Sequence, residues 1–327
     1  MARRSRSTSV TIPRKLPKPD FEARPEGTPV SPTTPLQLDG RSLTLQHIHD
    51  VASGRRSVVL GSDARAAVLR SRDAVEDMLK GGDTVYGINT GFGHLAGVRI
   101  DEPDLEALQA NLIRSHAVGV GAPFDIPTTR GLMLLRANVL AAGHSGVRIE
   151  VVDRLIELLN TGIHPWIPSQ GSVGASGDLA PLAHLALLFM GEGWVHGPNG
   201  ERAEAEAALS AAGLEPLTLA AKEGIALING TQAMTALGAI VLVRARQLMK
   251  TADLVGAMTV EGMLASYTPF DPRLHAIRPH PGQKVVAENL RKLLVGGNLN
   301  ASHITCDKVQ DPYSLRCMPQ VHGAARQ

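Results

Sequence analysis

The sequence predicts a mainly α-helical fold, and three observations lead there. Apolar residues recur at i, i+3, i+4 and i+7 in one segment after another. Glycine follows the last apolar position of most of these segments. Alternation of period two is nearly absent.

The elements follow in chain order. Residues 1–37 open with MARRSRSTSVTIPRKLPKP, basic and rich in serine and proline, and read as a mobile tail. They lack the apolar stretch of a secretory signal, and their prolines break the amphipathic helix of an organellar transit peptide. Ser62 to Gly82 begins with acidic and hydroxyl residues, ends on a glycine pair, and places Val68, Val75, Met78 and Leu79 at helical spacing. Asp104 to Gly121 puts Leu105, Leu108 and Leu112 on one face. RGLMLLRANVLAAGHSG and EVVDRLIELLNTG both run into glycine, which accepts the left-handed conformation that ends helices. In the second, Val152, Leu155, Ile156 and Leu159 complete the helical template. A long helix is expected from about Ala233 to Met258. DTVYGINT offers one short strand, and GWVHGPNGERA a small hairpin turning at Asn199-Gly200. Glycine-rich loops interrupt the helices, and chemistry is expected in those loops.

Composition bounds the function. The 327 residues suffice for one large or two smaller domains, and 43% are hydrophobic, enough for a sizeable core. A net charge of +2 gives no pointer to nucleic acid. No apolar run is read as approaching the roughly 20 residues that span a bilayer. Cys306 and Cys317 are too few for a disulfide scaffold and suit a reducing compartment, hence the cytoplasm. Aromatic residues are only 3%, so the placement of Tyr86, Tyr267 and Tyr313 carries information.

The most informative stretch is GSVGASGDLAPLAHLAL, residues 171–187. Asp178 suits an N-cap, Pro181 falls in a first helical turn, and the apolar run that follows predicts a buried helix. The loop before it therefore lies at the positive end of an interior helix. A tight turn is the commonest use of such a loop. A phosphate cradle is disfavoured, because no G-x-x-x-x-G-K-[ST] pattern and no strand run precede the helix. A chemical reading fits better. In a compressed loop the Gly177 nitrogen attacks the Ala175 carbonyl and closes a five-membered ring with loss of water. Loss of the Ser176 hydroxyl as a second water leaves an exocyclic methylene. The product is an electrophile made without an external cofactor.

These residues resemble the loop of the histidine/phenylalanine/tyrosine ammonia-lyase family, in which Ala-Ser-Gly becomes 4-methylideneimidazol-5-one. VYGINTGFGHLA (85–96), NLIRSHAVGVG (111–121), KEGIALINGTQ (222–232) and VQDPYSLRCMPQVHGA (309–324) also resemble family blocks, in the family's order. The resemblance covers about residues 40–327. It implies a prosthetic-group domain at 38–232 and the start of a long-helix central bundle at 233–327, whose later helices, with a glutamate expected near a substrate imidazole, are missing from this chain. It also implies a homotetramer with sites shared between subunits, acting on a small amino acid. No membrane partner and no metal are expected. His47 and His49 lack further ligands at a recognised spacing.

The resemblance assigns roles residue by residue. Ala175, Ser176 and Gly177 form the electrophile. Tyr86 is similar to the family's catalytic base, although by residue type alone it could be a half-buried core tyrosine. A phenol is ordinarily too weak an acid to serve as a base at neutral pH, so this role asks for nearby positive charge. Arg316 would clamp the substrate carboxylate through its guanidinium fork, where a bare reading gives a surface arginine. Tyr313 and Gln310 would line the same site, Tyr313 near the prosthetic group. Asn229, otherwise a turn former before glycine, would touch that group and the carboxylate. His116 separates substrate classes, against the alternative of a histidine capping its helix. RSHAVGVG and QDPYSLRC lean toward members acting on L-histidine, which give trans-urocanate and ammonia. The competing readings are a phenylalanine or tyrosine ammonia-lyase or aminomutase, and an inactive fragment with only a packing role.

Overall fold

The computed structural model describes residues 34–81, 84–91, 97–174, 177–302, 305 and 307–327. Strand β1 (Leu36–Leu38) pairs in parallel with β2 (Val58–Leu60), and helix α1 (Leu45–Ala52) connects them. Thr44 opens α1 with a capping box in which His47 is the reciprocal partner. Leu36 is buried in β1, so the packed chain already begins inside the segment read as a tail. Helix α2 (Ser62–Lys80) stops at Gly81, and α3 spans Leu105–His116. β3 (Val120–Pro123) leads to α4 (Ile126–Ala141), which Asp125 caps through the Thr128 N–H. α5 (Ile149–Thr161) ends at Gly162 with φ +83°, the left-handed terminator its sequence predicts.

The chain continues through β4 (Pro168–Gln170), α6 (Leu179–Phe189), and the hairpin β5 (Trp194–His196) and β6 (Arg202–Glu204), with Gly200 in its turn at φ +82°. α7 (Ala205–Ala211) and α8 (Glu223–Ile228) precede the 31-residue helix α9 (Gln232–Gly262). α10 (Pro272–Ile277), α11 (Pro281–Leu294), α12 (Leu299–Ser302), α13 (Tyr313–Arg316) and α14 (Met318–Arg326) follow.

Two hydrophobic cores lie along α9. The larger joins α4, α5 and α6 through residues such as Leu132, Leu134, Leu155, Leu159, Leu185 and Phe189, and takes in Ala233, Ala236 and Ala239 from the start of α9. The smaller packs Ala257 and Val260, near its end, against Phe270, Val286, Leu290, Leu315 and Met318. Between them α9 leaves Val241, Leu248 and Val255 more than half exposed.

The structure alters three expectations. DTVYGINT does not form a strand over its described residues. Asn89 and Thr90 bond back to the Val85 and Gly87 amides and close a turn instead. A three-residue strand, β4, does precede the glycine-rich loop, although the phosphate-binding pattern is still lacking from the sequence. The helical stretch Glu223–Gly262 contains an 18-residue window of mean hydropathy 1.6, long and apolar enough to cross a membrane by those criteria; 44% of that window is buried inside the chain, as in the core helix of a bundle.

A buried polar pair ties α4 to the turn after α5. The Arg130 guanidinium donates to His164 Nε2 at 2.9 Å and to the carbonyls of Val51 and Leu159. Burial, then the charge of Arg130, lowers the His164 pKa from 6.5 to about 4. Between these values the unfolded chain binds a proton that the folded chain refuses. Stability is therefore fully present above about pH 6.5 and is lost as pH falls toward 4. Urea unfolding from pH 7 to pH 4 should show this loss, and His164→Asn should flatten its slope.

Candidate active site

The loop before α6 is squeezed by backbone from two sides. Gly177 is buried with φ +141°, and a Cβ there would lie 2.6 Å from the Gly230 carbonyl oxygen. Gly171 has φ +150°, and a Cβ there would lie 3.1 Å from the Gly119 Cα. These positions need glycine for room as much as for torsion. Ala175 and Ser176 lie outside the described residues.

Asp178 occupies the N-cap position of α6, as its sequence predicts, but its side chain caps a different helix. Its fully buried carboxylate accepts from the Met234 N–H in the first turn of α9 at 2.9 Å and from Ser172 Oγ at 2.5 Å. Its own N–H donates to the Gly230 carbonyl at 2.6 Å. The positive ends of α6 and α9 thus converge on the loop.

Behind Gly230 lies Arg136, on α4 and 2% exposed. Its Nη1 donates to the Asn229 carbonyl at 3.0 Å and to Gln232 Oε1 at 2.9 Å, and its Nη2 donates to the Ala226 carbonyl. Burial lowers its pKa to about 10, so it remains charged at neutral pH. A Cβ on Gly230 would fall on Arg136 Nη1 and Gln232 Oε1. Sequence reasoning missed both residues. The available signal was the arginine within LMLLRANVLAA, a mostly apolar stretch of α4 that predicts a buried charge with a structural task.

His116 and Asn229 border this region. β3 pairs antiparallel with β4, Val120 opposite Gln170, and so lays the segment after His116 beside the loop. Gly119 donates to His184 Nε2 from α6 at 3.1 Å, and burial lowers the His184 pKa, favouring the neutral acceptor form. His116 Nδ1 lies 2.8 Å from the Leu112 carbonyl, which caps the end of α3 and orients the ring. Asn229 ends α8 with an extended backbone, Arg136 holding its carbonyl while the residue stays exposed.

Tyr86 stands at the tip of its turn, 62% exposed, while Ile88, Asn89 and Thr90 are buried beneath it. Gly87 leans toward Ile225 of α8. Tyr86 lines a cleft of about 670 Å³ together with Arg41, Arg70, His144 and Lys222.

Gln310, Tyr313 and Arg316 come together, but elsewhere. Arg316 stacks 4.7 Å from the Tyr313 ring centroid, and its Nε donates to the Asp311 carbonyl at 2.6 Å. With its amide oxygen turned toward Arg316, Gln310 accepts from both terminal guanidinium nitrogens at 2.5 and 2.9 Å. Leu315 and Met318 root this group in the smaller core, where Met318 faces Gly256 of α9. Met234, beside the loop, is 22 residues earlier on the same helix, which corresponds to about 33 Å at the usual helical rise. One chain therefore carries two separate groups of candidate residues.

Comparison with known proteins places this geometry in context. A family model described as aromatic amino acid lyase matches residues 43–327. A histidine ammonia-lyase of Myxococcus xanthus (strain DK1622) is 55% identical over 292 residues, 89% of this chain and 57% of that protein. One of Anaeromyxobacter sp. (strain K) is 56% identical over 299 residues, 89% of this chain and 59% of that protein. Among solved structures, histidine ammonia-lyase from Trypanosoma cruzi matches with a TM-score of 0.79 at 42% identity, covering 89% of this chain and 54% of that one. Tyrosine aminomutase from Streptomyces globisporus matches with a TM-score of 0.81 at 38% identity, covering 90% and 59%. The chain spans somewhat more than half the length of these relatives.

The Asp178 carboxylate joins three segments, and its removal leaves the Met234 N–H and the Ser172 hydroxyl without their partner. Asp178→Ala should cost about 1.5–3 kcal/mol of stability, the range for hydrogen bonds to a charged group. Thermal and urea unfolding of the two chains side by side would measure it.

Proposed function

The chain belongs to the aromatic amino acid lyase family, and from that premise we propose that the enzyme eliminates ammonia non-oxidatively from L-histidine to give trans-urocanate. The observation that carries this reading is the 55% identity to histidine ammonia-lyases along 89% of the chain. The RSHAVGVG wording around His116 leans the same way, while the His116 Nδ1 itself caps α3 at the Leu112 carbonyl.

The residues around the loop fit the formation of a 4-methylideneimidazol-5-one from Ala175, Ser176 and Gly177. Gly177 is pressed against the Gly230 carbonyl in a cradle that a Cβ would fill, and compression is what ring closure requires. When formed, that group supplies the electrophile that lets the amine depart. The chain's own side chains do the rest. Tyr86, in the cleft it shares with Arg41, Arg70 and Lys222, takes the β-proton. Arg316 attracts the carboxylate to its guanidinium, where Gln310, which accepts from both terminal nitrogens, cedes that edge to it, and Asn229 adds a hydrogen bond. Tyr313, stacked beside Arg316, would contribute near the prosthetic group.

Arg316 and Tyr313 are a helix length away from Gly177 in their own chain. The proposed site therefore draws them from a neighbouring copy, in a homotetramer whose copies pack along α9. The proposed location is the cytoplasm.

Purified protein should convert L-histidine to a product with the near-ultraviolet absorbance of urocanate. Tyr86→Phe should lower the rate by about 10²–10⁴-fold, the usual contribution of a positioned base. Turnover of tyrosine or phenylalanine without histidine would move the assignment to another substrate of the same chemistry.

A further inference from the structure

We propose that Arg136 is a positioning residue for loop maturation: it clamps the Asn229–Gly230 backbone against Gly177 and so holds the loop in the compressed geometry that closes the ring. The inference rests on the reading above that Ala175, Ser176 and Gly177 cyclise.

The closure must join the Gly177 nitrogen to the Ala175 carbonyl carbon. The amide proton moves to the carbonyl oxygen. That oxygen then leaves as water with the Ser176 N–H proton, which forms the ring C=N bond. A second water takes the Ser176 hydroxyl and its α-proton and leaves the methylene. No oxidant or further reactant is consumed. An ordinary amide nitrogen is a poor nucleophile, so the reaction depends on how closely its two ends are held together.

In the described structure, the Gly230 carbonyl is the wall that confines Gly177, since a Cβ on Gly177 would lie only 2.6 Å from it. The Asp178 N–H reaches the same oxygen at 2.6 Å. A wall of bare backbone between two helices would yield unless something stood behind it. Arg136 stands there, and its donors engage Ala226 near the end of α8, Asn229 in the linker and Gln232 at the start of α9. One rigid, planar fork thus fixes both helix ends and the linker that joins them. Its root on α4 lies in the larger core beside Leu132, Met133, Leu134 and Ala137, so the clamp does not move with the loop. Gly230 itself has no room for a side chain on this face, because Arg136 Nη1 and Gln232 Oε1 occupy it.

The role differs from general stabilisation in what it predicts. Arg136→Met keeps the length and bulk of the side chain and removes all three hydrogen bonds. The variant should fold with the helical circular dichroism of the parent and yet remain at its encoded mass. The parent should be lighter by two waters. A loosening of about 1 Å at a reacting centre slows ring closure by about a hundredfold, enough to leave freshly purified variant unreacted. Should Arg136→Met not fold, Arg136→Lys decides in the same way, because a point charge cannot reach three acceptors held in one plane.

Intact mass, with circular dichroism on the same samples, separates the outcomes. A parent lighter by two waters beside a folded variant at full mass supports the clamp. A folded variant as light as the parent overturns it. A parent at its encoded mass refutes the cyclisation reading, and this inference falls with it.

Discussion

The backbone carbonyl of Gly230 is the point on which the architecture turns. It accepts from the Asp178 N–H, confines the Gly177 Cα, and belongs to the three-residue link, Asn229 to Thr231, that lets α8 end and α9 begin. Each neighbour is tuned to that position. Asp178 sends its carboxylate across to the first turn of α9, and Arg136 braces the link from α4. The negative group and the positive group lie on opposite sides of the same short segment. Both are buried: Asp178 accepts from one backbone N–H and one hydroxyl, and Arg136 donates to two backbone carbonyls and one amide while its Nε has no partner.

Much of the fold was legible because it follows from local chemistry. The stop at Gly162, the hairpin at Asn199-Gly200 and the long run of α9 need only periodicity and turn residues. The turn at Tyr86 was only half legible: the glycines of YGINTGFG suggest a bent loop, while VYGINT has the composition of a strand. Two side-chain bonds, from Asn89 and Thr90, decide the matter, and propensity does not count them. The site was legible in its residues and illegible in its supports. Asp178 was read as a cap, but only the fold reveals that the helix it caps lies 56 residues away. Arg136 was passed over because an arginine in a mostly apolar stretch says that a partner exists without saying which. Its partners are main-chain carbonyls and one amide, and these leave no complementary charge in the sequence.

The two groups of candidate residues are kept apart by α9, a continuous helix with a core at each end and exposed apolar residues between. Gln310, Tyr313 and Arg316 are organised by contacts with one another, without any contribution from the loop. In the assembly proposed above, copies would have to bring this group into register with the loop of a neighbour.

In the assembly proposed above, the separation along α9 has a genetic corollary. A chain damaged at Tyr86 and a chain damaged at Arg316 each spoil a different half, so neither alone provides a working centre. Co-expressed, they would form mixed oligomers in which some centres receive the intact half from each parent. Two null alleles of this kind would rescue one another, while two alleles damaged in the same half would not.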